Sequence, residues 1–266
     1  MRFAKAHACG NDFLIVEGVC DPGVAKQLCD RHTGIGADGV EFFESTGPMR
    51  GRIRLVNADG SAAEISGNGT RCVAACVAHH ENAAAAGDVI TLETDAGTRP
   101  CSIISGEGNH YRIAAGMGVP EVSQIQVTLA DKTIVRGIHV SMGNPHFVIV
   151  VHDESFRAHS RGWQELGREI CSHTRFPQQI NVEFVRIVRA DEVEIRIFER
   201  GVGPTSSSGT GTCASAAAVL LHCGGRSPLT VRAPGGAQSV EWAGPGKEMI
   251  LTGPAVLIAE GEVFSD

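Results

Sequence analysis

Lysine is nearly missing from this chain: Lys5, Lys26, Lys132 and Lys247 are all there are, and none stands in a motif that would hold pyridoxal phosphate. No cluster of Lys and Arg exists to neutralise a run of phosphates, and the net charge of -7 points the same way, so no nucleic-acid partner is expected. Nowhere do about eighteen apolar residues run together, so no membrane span is expected. The first residues lack the apolar core of a secretory signal. Nine cysteines include no C-x-x-C pair, and their odd number fits a reducing compartment. A cytoplasmic protein is therefore expected. Cys72 and Cys76, one helical turn apart, are read as small core residues, and no metal is expected.

What is present is glycine and repetition. Thirty-three glycines against one tyrosine and two tryptophans imply many tight turns, while 42% hydrophobic and 20% charged residues describe an ordinary globular protein of one large or two medium domains. "SGNGTRCVAAC" from Ser66 is echoed by "SGTGTCASAAA" from Ser208, 142 residues later. At the same offset "RIRLVNADGSAAEIS" lies over "EIRIFERGVGPTSSS" without a gap. Each copy reads as an alternating strand, a glycine-containing loop, a serine and a helix that is apolar or small all round, which must be buried. "GNDFLIV" from Gly10 and "GNPHFVIV" from Gly143 repeat a turn feeding a strand.

The expected fold is α/β: two pseudo-symmetric domains, each a mostly antiparallel sheet wrapped around a central helix. The spacing places the helices near residues 69–80 and 211–222. The linker is expected within residues 106–118, with an N-terminal half of 1–112 rejoined by 255–266 and a C-terminal half of 113–254. "GIGADG" at Gly34 spells a dinucleotide fingerprint, but a helix precedes it and a strand follows, the reverse of what that site needs. "GPGK" at Lys247 lacks the remainder of a P-loop.

A glycine loop ahead of a helix leaves backbone N–H groups free at a positive dipole end, which suits an anion. A lone serine there is most simply an N-cap. Two in register suggest a carboxylate held in a cleft between the halves, with one side chain approaching the bound carbon from each side. Such an arrangement removes a proton from one face and returns one to the other, which is racemisation or epimerisation.

The motifs "GNDF", "DRHTGIGADG", "NADGSAAEISGNGTRC", "SMGNPHFV", "NVEFV" and "ERGVGPTSSSGTGTC", in this order and spacing, resemble the diaminopimelate epimerase family over nearly the whole chain. The resemblance implies a cofactor-independent homodimer that interconverts LL- and meso-2,6-diaminopimelate. It implies substrate contacts at Asn11, Asn57, Asn144, Asn181, Glu199 and Arg200, with Arg200 clamping the distal carboxylate. Gly67 and Asn68, with Gly209 and Thr210, would form the two helix mouths. His146 and Glu199 would stand near the acid/base pair.

The departure falls on the chemistry. At Ser66 and at Ser208 the family pattern has cysteine. A thiol titrates near pH 8.5 and a helix N-terminus lowers that further, whereas a hydroxyl needs a neighbouring base to lose its proton. Three readings follow: an epimerase working through hydroxyls with help from His146 or Glu199, a substrate-binding form without turnover, natural or engineered, and a related isomerase or dehydratase of another small acid. Cys72 and Cys213 lie more than a turn inside their helices and are not expected to substitute. Gly39, after "GIGAD", stands where some relatives carry a longer polar residue.

Overall fold

A computed structural model describes residues 1–63, 65–83 and 85–264. The chain divides into two compact units, Met1–Gly116 with Thr252–Asp266, and Met117–Leu251. Unit 1 runs β1 (Arg2–Ala8), β2 (Asn11–Glu17), α1 (Pro22–Cys29), β3 (Gly39–Gly47), β4 (Arg50–Asn57), β5 (Ala62–Ala63), α2 (Gly67–His80), β6 (Val89–Thr94), β7 (Gly97–Glu107) and β8 (His110–Gly116). Unit 2 follows with β9 (Glu121–Thr128), β10 (Ile134–Ser141), β11 (Pro145–Val151), α3 (Trp163–Cys171), β12 (Asn181–Arg189), β13 (Glu192–Glu199), β14 (Gly203–Thr205), α4 (Gly209–His222), β15 (Leu229–Ala233) and β16 (Gly236–Trp242). The last strand, β17 (Met249–Glu262), belongs to unit 1 from Thr252 onward and pairs antiparallel with β1.

Pairing within each unit follows one plan. In unit 1, β1–β2 is antiparallel, β2–β3 parallel, β3–β4 and β4–β5 antiparallel, β4–β6 parallel, and β6–β7 and β7–β8 antiparallel. Unit 2 repeats this sequence from β10 to β16, with β9 lying antiparallel on β10 as β17 lies on β1. In unit 1, β8 also pairs with β17, which closes a ring of strands around α2.

The alternation in β4 and β13 puts Ile53, Leu55, Ile195 and Ile197 into the cores, while α2 and α4 are buried on nearly every side. Cys72, Ala74, Ala75 and Ala78 of α2 touch β-branched and leucine side chains of its sheet; α4 does the same with Cys213, Ala214, Ala216 and Ala217. Small residues let a helix lie close to strands on all sides, at a density where one added methylene is felt. Gly34 and Gly36 of the "GIGADG" stretch serve packing: a Cβ on Gly34 would meet the Gln27 carbonyl at 2.2 Å, and Gly36 has φ +82°.

The expected boundaries shift. The division between the units falls between Gly116 and Met117, inside the expected 106–118 and four residues beyond the expected end of the first half; Gly108, φ +59°, turns the β7–β8 hairpin, and the register Cys101↔Ala115 binds β8 to unit 1 as far as Gly116. Both central helices begin two residues earlier than expected, because each serine is itself the N-cap.

Candidate active site

In unit 1, Ser66 has extended backbone, φ -123° and ψ 121°, and its Oγ accepts from Gly69 N at 3.1 Å. Gly67 and Asn68 form the first turn, whose amides point out of the helix end. Asn68 Nδ2 donates to Asn11 Oδ1 at 3.1 Å, and Asn11 Nδ2 donates to Asp38 Oδ2 at 2.7 Å. Asp38 is held in turn by Arg31, which also grips Asp12 bidentately at 2.7 and 3.1 Å. Burial pushes the Asp12 carboxyl up, but Arg31 and Lys5 outweigh it and leave it below its ordinary value. The "DRHTGIGADG" stretch is thus a charged brace for Asn11. Asn57, at the end of β4, donates instead to Ser61 Oγ at 3.0 Å.

In unit 2 the same construction recurs. Ser208 caps α4, its Oγ accepting from Gly211 N at 3.2 Å. Gly209 and Thr210 form the first turn, and Asn144 Nδ2 donates to Thr210 Oγ1 at 3.3 Å, the counterpart of the Asn11–Asn68 contact. Asn144 thereby turns its Oδ1 to His146 Nε2 at 3.0 Å, while His146 Nδ1 meets Glu183 Oε1 at 2.7 Å. Both residues are fully buried. The ring thus sets one nitrogen against the Glu183 carboxyl and the other against the Asn144 amide. Burial raises the Glu183 carboxyl and His146 partly offsets this.

Asn181 donates to the Pro145 carbonyl at 3.1 Å and accepts from Arg200 N at 2.9 Å. The exposed Arg200 guanidinium gives one donor to the Gln178 carbonyl at 3.2 Å and keeps the others. Glu199 ends β13, half-buried, opposite Gly203.

The structure brings Asn11, Ser66, Gly67 and Asn68 together in unit 1, and Asn144, His146, Ser208, Gly209 and Thr210 together in unit 2. Asn181 and Arg200 form a second cluster in unit 2.

Sequence reasoning missed Glu41. It sits in β3 at the position equivalent to Glu183, 142 residues earlier, and is buried. A signal existed: "VEF" occurs in both strands, an acid inside an apolar run. Among the described residues neither Glu41 oxygen has a hydrogen-bond partner, and burial lifts its carboxyl from 4.5 to about 8.

Cys72 and Cys213 are buried within their helices, and burial raises the Cys72 thiol, which removes it from thiolate chemistry. Cys76 is buried in the core, as its sequence suggests; His80 follows it by one helical turn, and Glu260 joins them within 4.8 Å. His80 Nδ1 lies 3.9 Å from Cys76 Sγ and Nε2 lies 2.6 Å from Glu260 Oε1, so the ring gives one nitrogen to each partner. These groups line a cavity of about 600 Å³ at the C-terminal end of α2, away from Ser66.

Residues 3–122 and 138–258 match the sequence pattern of diaminopimelate epimerase. The chain belongs to the diaminopimelate epimerase family. It is 38% identical to a diaminopimelate epimerase of Pseudomonas fluorescens, covering 99% of both chains, and 35% identical to one of Moorella thermoacetica, covering 98% of this chain and 99% of the relative. The fold is shared more widely. A Bacillus anthracis phenazine biosynthesis protein superposes with TM-score 0.72 at 16% identity, covering 100% of this chain and 99% of that one. A hydroxyproline epimerase of Agrobacterium vitis gives 0.72 at 13%, covering 99% and 90%. Membership of the family fixes the fold class as α/β with mostly antiparallel strands and four helices. No helix among the described residues is long and apolar enough to cross a membrane.

Proposed function

We propose that this chain binds 2,6-diaminopimelate and interconverts its LL and meso forms without a cofactor, through Ser66 and Ser208 at the acid and base positions. The observation that carries the reading is the duplicated helix mouth: a serine N-cap, two small or polar first-turn residues, and an asparagine at the start of a neighbouring strand or just before it touching the second of them, in both units. The positive N-terminal ends of the two helices suit the carboxylate next to the reacting carbon. Arg200, fixed through its backbone by Asn181, suits the distal carboxylate, with Asn57 and Glu199 as further contacts. The reading requires both serines to address one α-carbon. A homodimer in the cytoplasm belongs to the same proposal, and light scattering reports the oligomer.

A hydroxyl is a far weaker acid than a thiol, so proton transfer through these serines is slow. A specific observation favours a second reading, binding without turnover: among the described residues each serine oxygen is engaged as a helix cap, and neither is hydrogen-bonded to a histidine or carboxylate. Incubation with meso-diaminopimelate in heavy water separates the two, with loss of the α-proton signal followed by NMR. Slow exchange is expected from the chain itself, and the double variant S66C/S208C is expected to gain on the order of 10²- to 10⁴-fold. Exchange by the double variant alone supports binding without turnover. Exchange by neither overturns the substrate.

A further inference from the structure

Behind each capping serine stands a buried acid. In unit 2 a Cβ on Gly211 would lie 2.8 Å from Glu183 Oε1 and 3.3 Å from Ser208 Oγ. In unit 1 a Cβ on Gly69 would lie 2.0 Å from Glu41 Oε1 and 3.3 Å from Ser66 Cβ. Only glycine at the third helical position lets the carboxyl come this close under the serine. The strands match in register: Glu41 lies between Ile15 and Leu55, Glu183 between Val148 and Ile197.

The two acids differ in company. Glu183 has His146; at the equivalent place in β2 unit 1 has Phe13, which offers no proton and accepts none. Glu41 is therefore buried with neither oxygen hydrogen-bonded. An isolated buried carboxylate is costly, and the group escapes that cost by holding its proton. The titratable group facing it is Cys72 of α2, itself kept a neutral thiol by burial. Ser66 Oγ accepts in its cap, so its own hydrogen is free to be given away.

We propose that Glu41 is the proton reserve of Ser66: a positioning acid, not in contact with substrate, that restores the hydroxyl after it has delivered its proton. The proposal rests on the epimerase reading. In the step, the Ser66 O–H bond breaks as the electron pair on the substrate's α-carbon takes the proton to form C–H. The two groups are not hydrogen-bonded in the resting structure, so a side-chain rotation first brings the Glu41 hydroxyl onto Ser66 Oγ; its O–H bond then breaks as the Ser66 O–H re-forms, leaving a carboxylate at Glu41. Reversal returns each proton along the same path. In unit 2 the His146–Glu183 pair stands in the corresponding place behind Ser208.

The test reads the coupling without requiring turnover. In S66C the introduced thiol is alkylated with iodoacetamide as a function of pH, its peptide resolved by mass spectrometry from those of the nine native cysteines. The profile is compared with that of S66C/E41Q, an isosteric neutral change, and of S66C/E41L, which guards against a folding effect of either substitution. With Glu41 present, ionised carboxylate and thiolate repel, so the thiol's profile is broadened and displaced upward by about one pH unit relative to both double variants. Coincident profiles overturn the proposal, whatever S66C/S208C does with diaminopimelate. Displaced profiles with no exchange by S66C/S208C support the coupling of Glu41 to position 66 and count against the substrate reading alone.

Discussion

Unit 1 and unit 2 repeat one order of elements, one set of parallel and antiparallel pairings, and a serine-capped helix of 14 residues in each. They part company behind the serine. Unit 2 keeps a buried hydrogen-bonded couple, His146 and Glu183, tied through Asn144 to the first turn of α4. Unit 1 keeps the acid and replaces the histidine position with Phe13, and it moves its ion pairing outward to Lys5, Asp12, Arg31 and Asp38, where it braces Asn11. A duplicated fold tolerates this because the backbone register is held by apolar contacts common to both halves. The polar groups are free to diverge into two environments, one with a buried histidine beside the acid and one without.

The comparison breaks most sharply at His146. H146F makes unit 2 resemble unit 1, leaving Glu183 buried without its partner, and stability is expected to fall by about 3–5 kcal/mol near neutral pH. The loss is smaller in acid, where Glu183 is protonated; urea unfolding at low and neutral pH measures both.

E41Q tests the other half. A carboxyl whose folded value is raised from 4.5 to about 8 binds more protons folded than unfolded across that window. Its contribution is therefore undiminished below 4.5, and stability declines as the pH rises to about 8. E41Q is expected to remove that decline and to gain on the order of 5 kcal/mol above pH 8, with no gain in acid. A wild-type unfolding midpoint that stays level across this window would count against the buried neutral acid.

The smallest effects lie at the caps. S66A and S208A are each expected to cost about 1 kcal/mol, a shift of roughly 2–4 °C in melting temperature by calorimetry, and by similar amounts in the two units, since the caps are alike. A marked difference between them would show that one serine carries more than its cap.

Much of this was legible in the chain. The offset of 142 residues aligned β4 with β13 and α2 with α4, because a gapless repeat keeps strand alternation and helix caps in phase. The serines and their first-turn neighbours were legible for the same reason: a cap is a local device that needs only residues adjacent in sequence. Glu41 was hidden because its meaning depends on what does not face it. His80 was overlooked beside Cys76, although one helical turn separates them, and Glu260 comes from 180 residues away.

The sequence by itself determined the twofold architecture, the buried helices and the chemistry offered at each helix mouth, since periodicity and capping act over a few residues. Tertiary structure alone decided which buried acid has a partner. His146 and Glu183 are 37 residues apart and meet only because β11 and β12 lie parallel in register. The same pairing of β2 with β3 aligns Phe13 with Gly39 and leaves Glu41 with apolar neighbours. Whether a buried carboxyl holds its proton is set by the desolvation and contacts of the folded interior, and no stretch of sequence carries that sum.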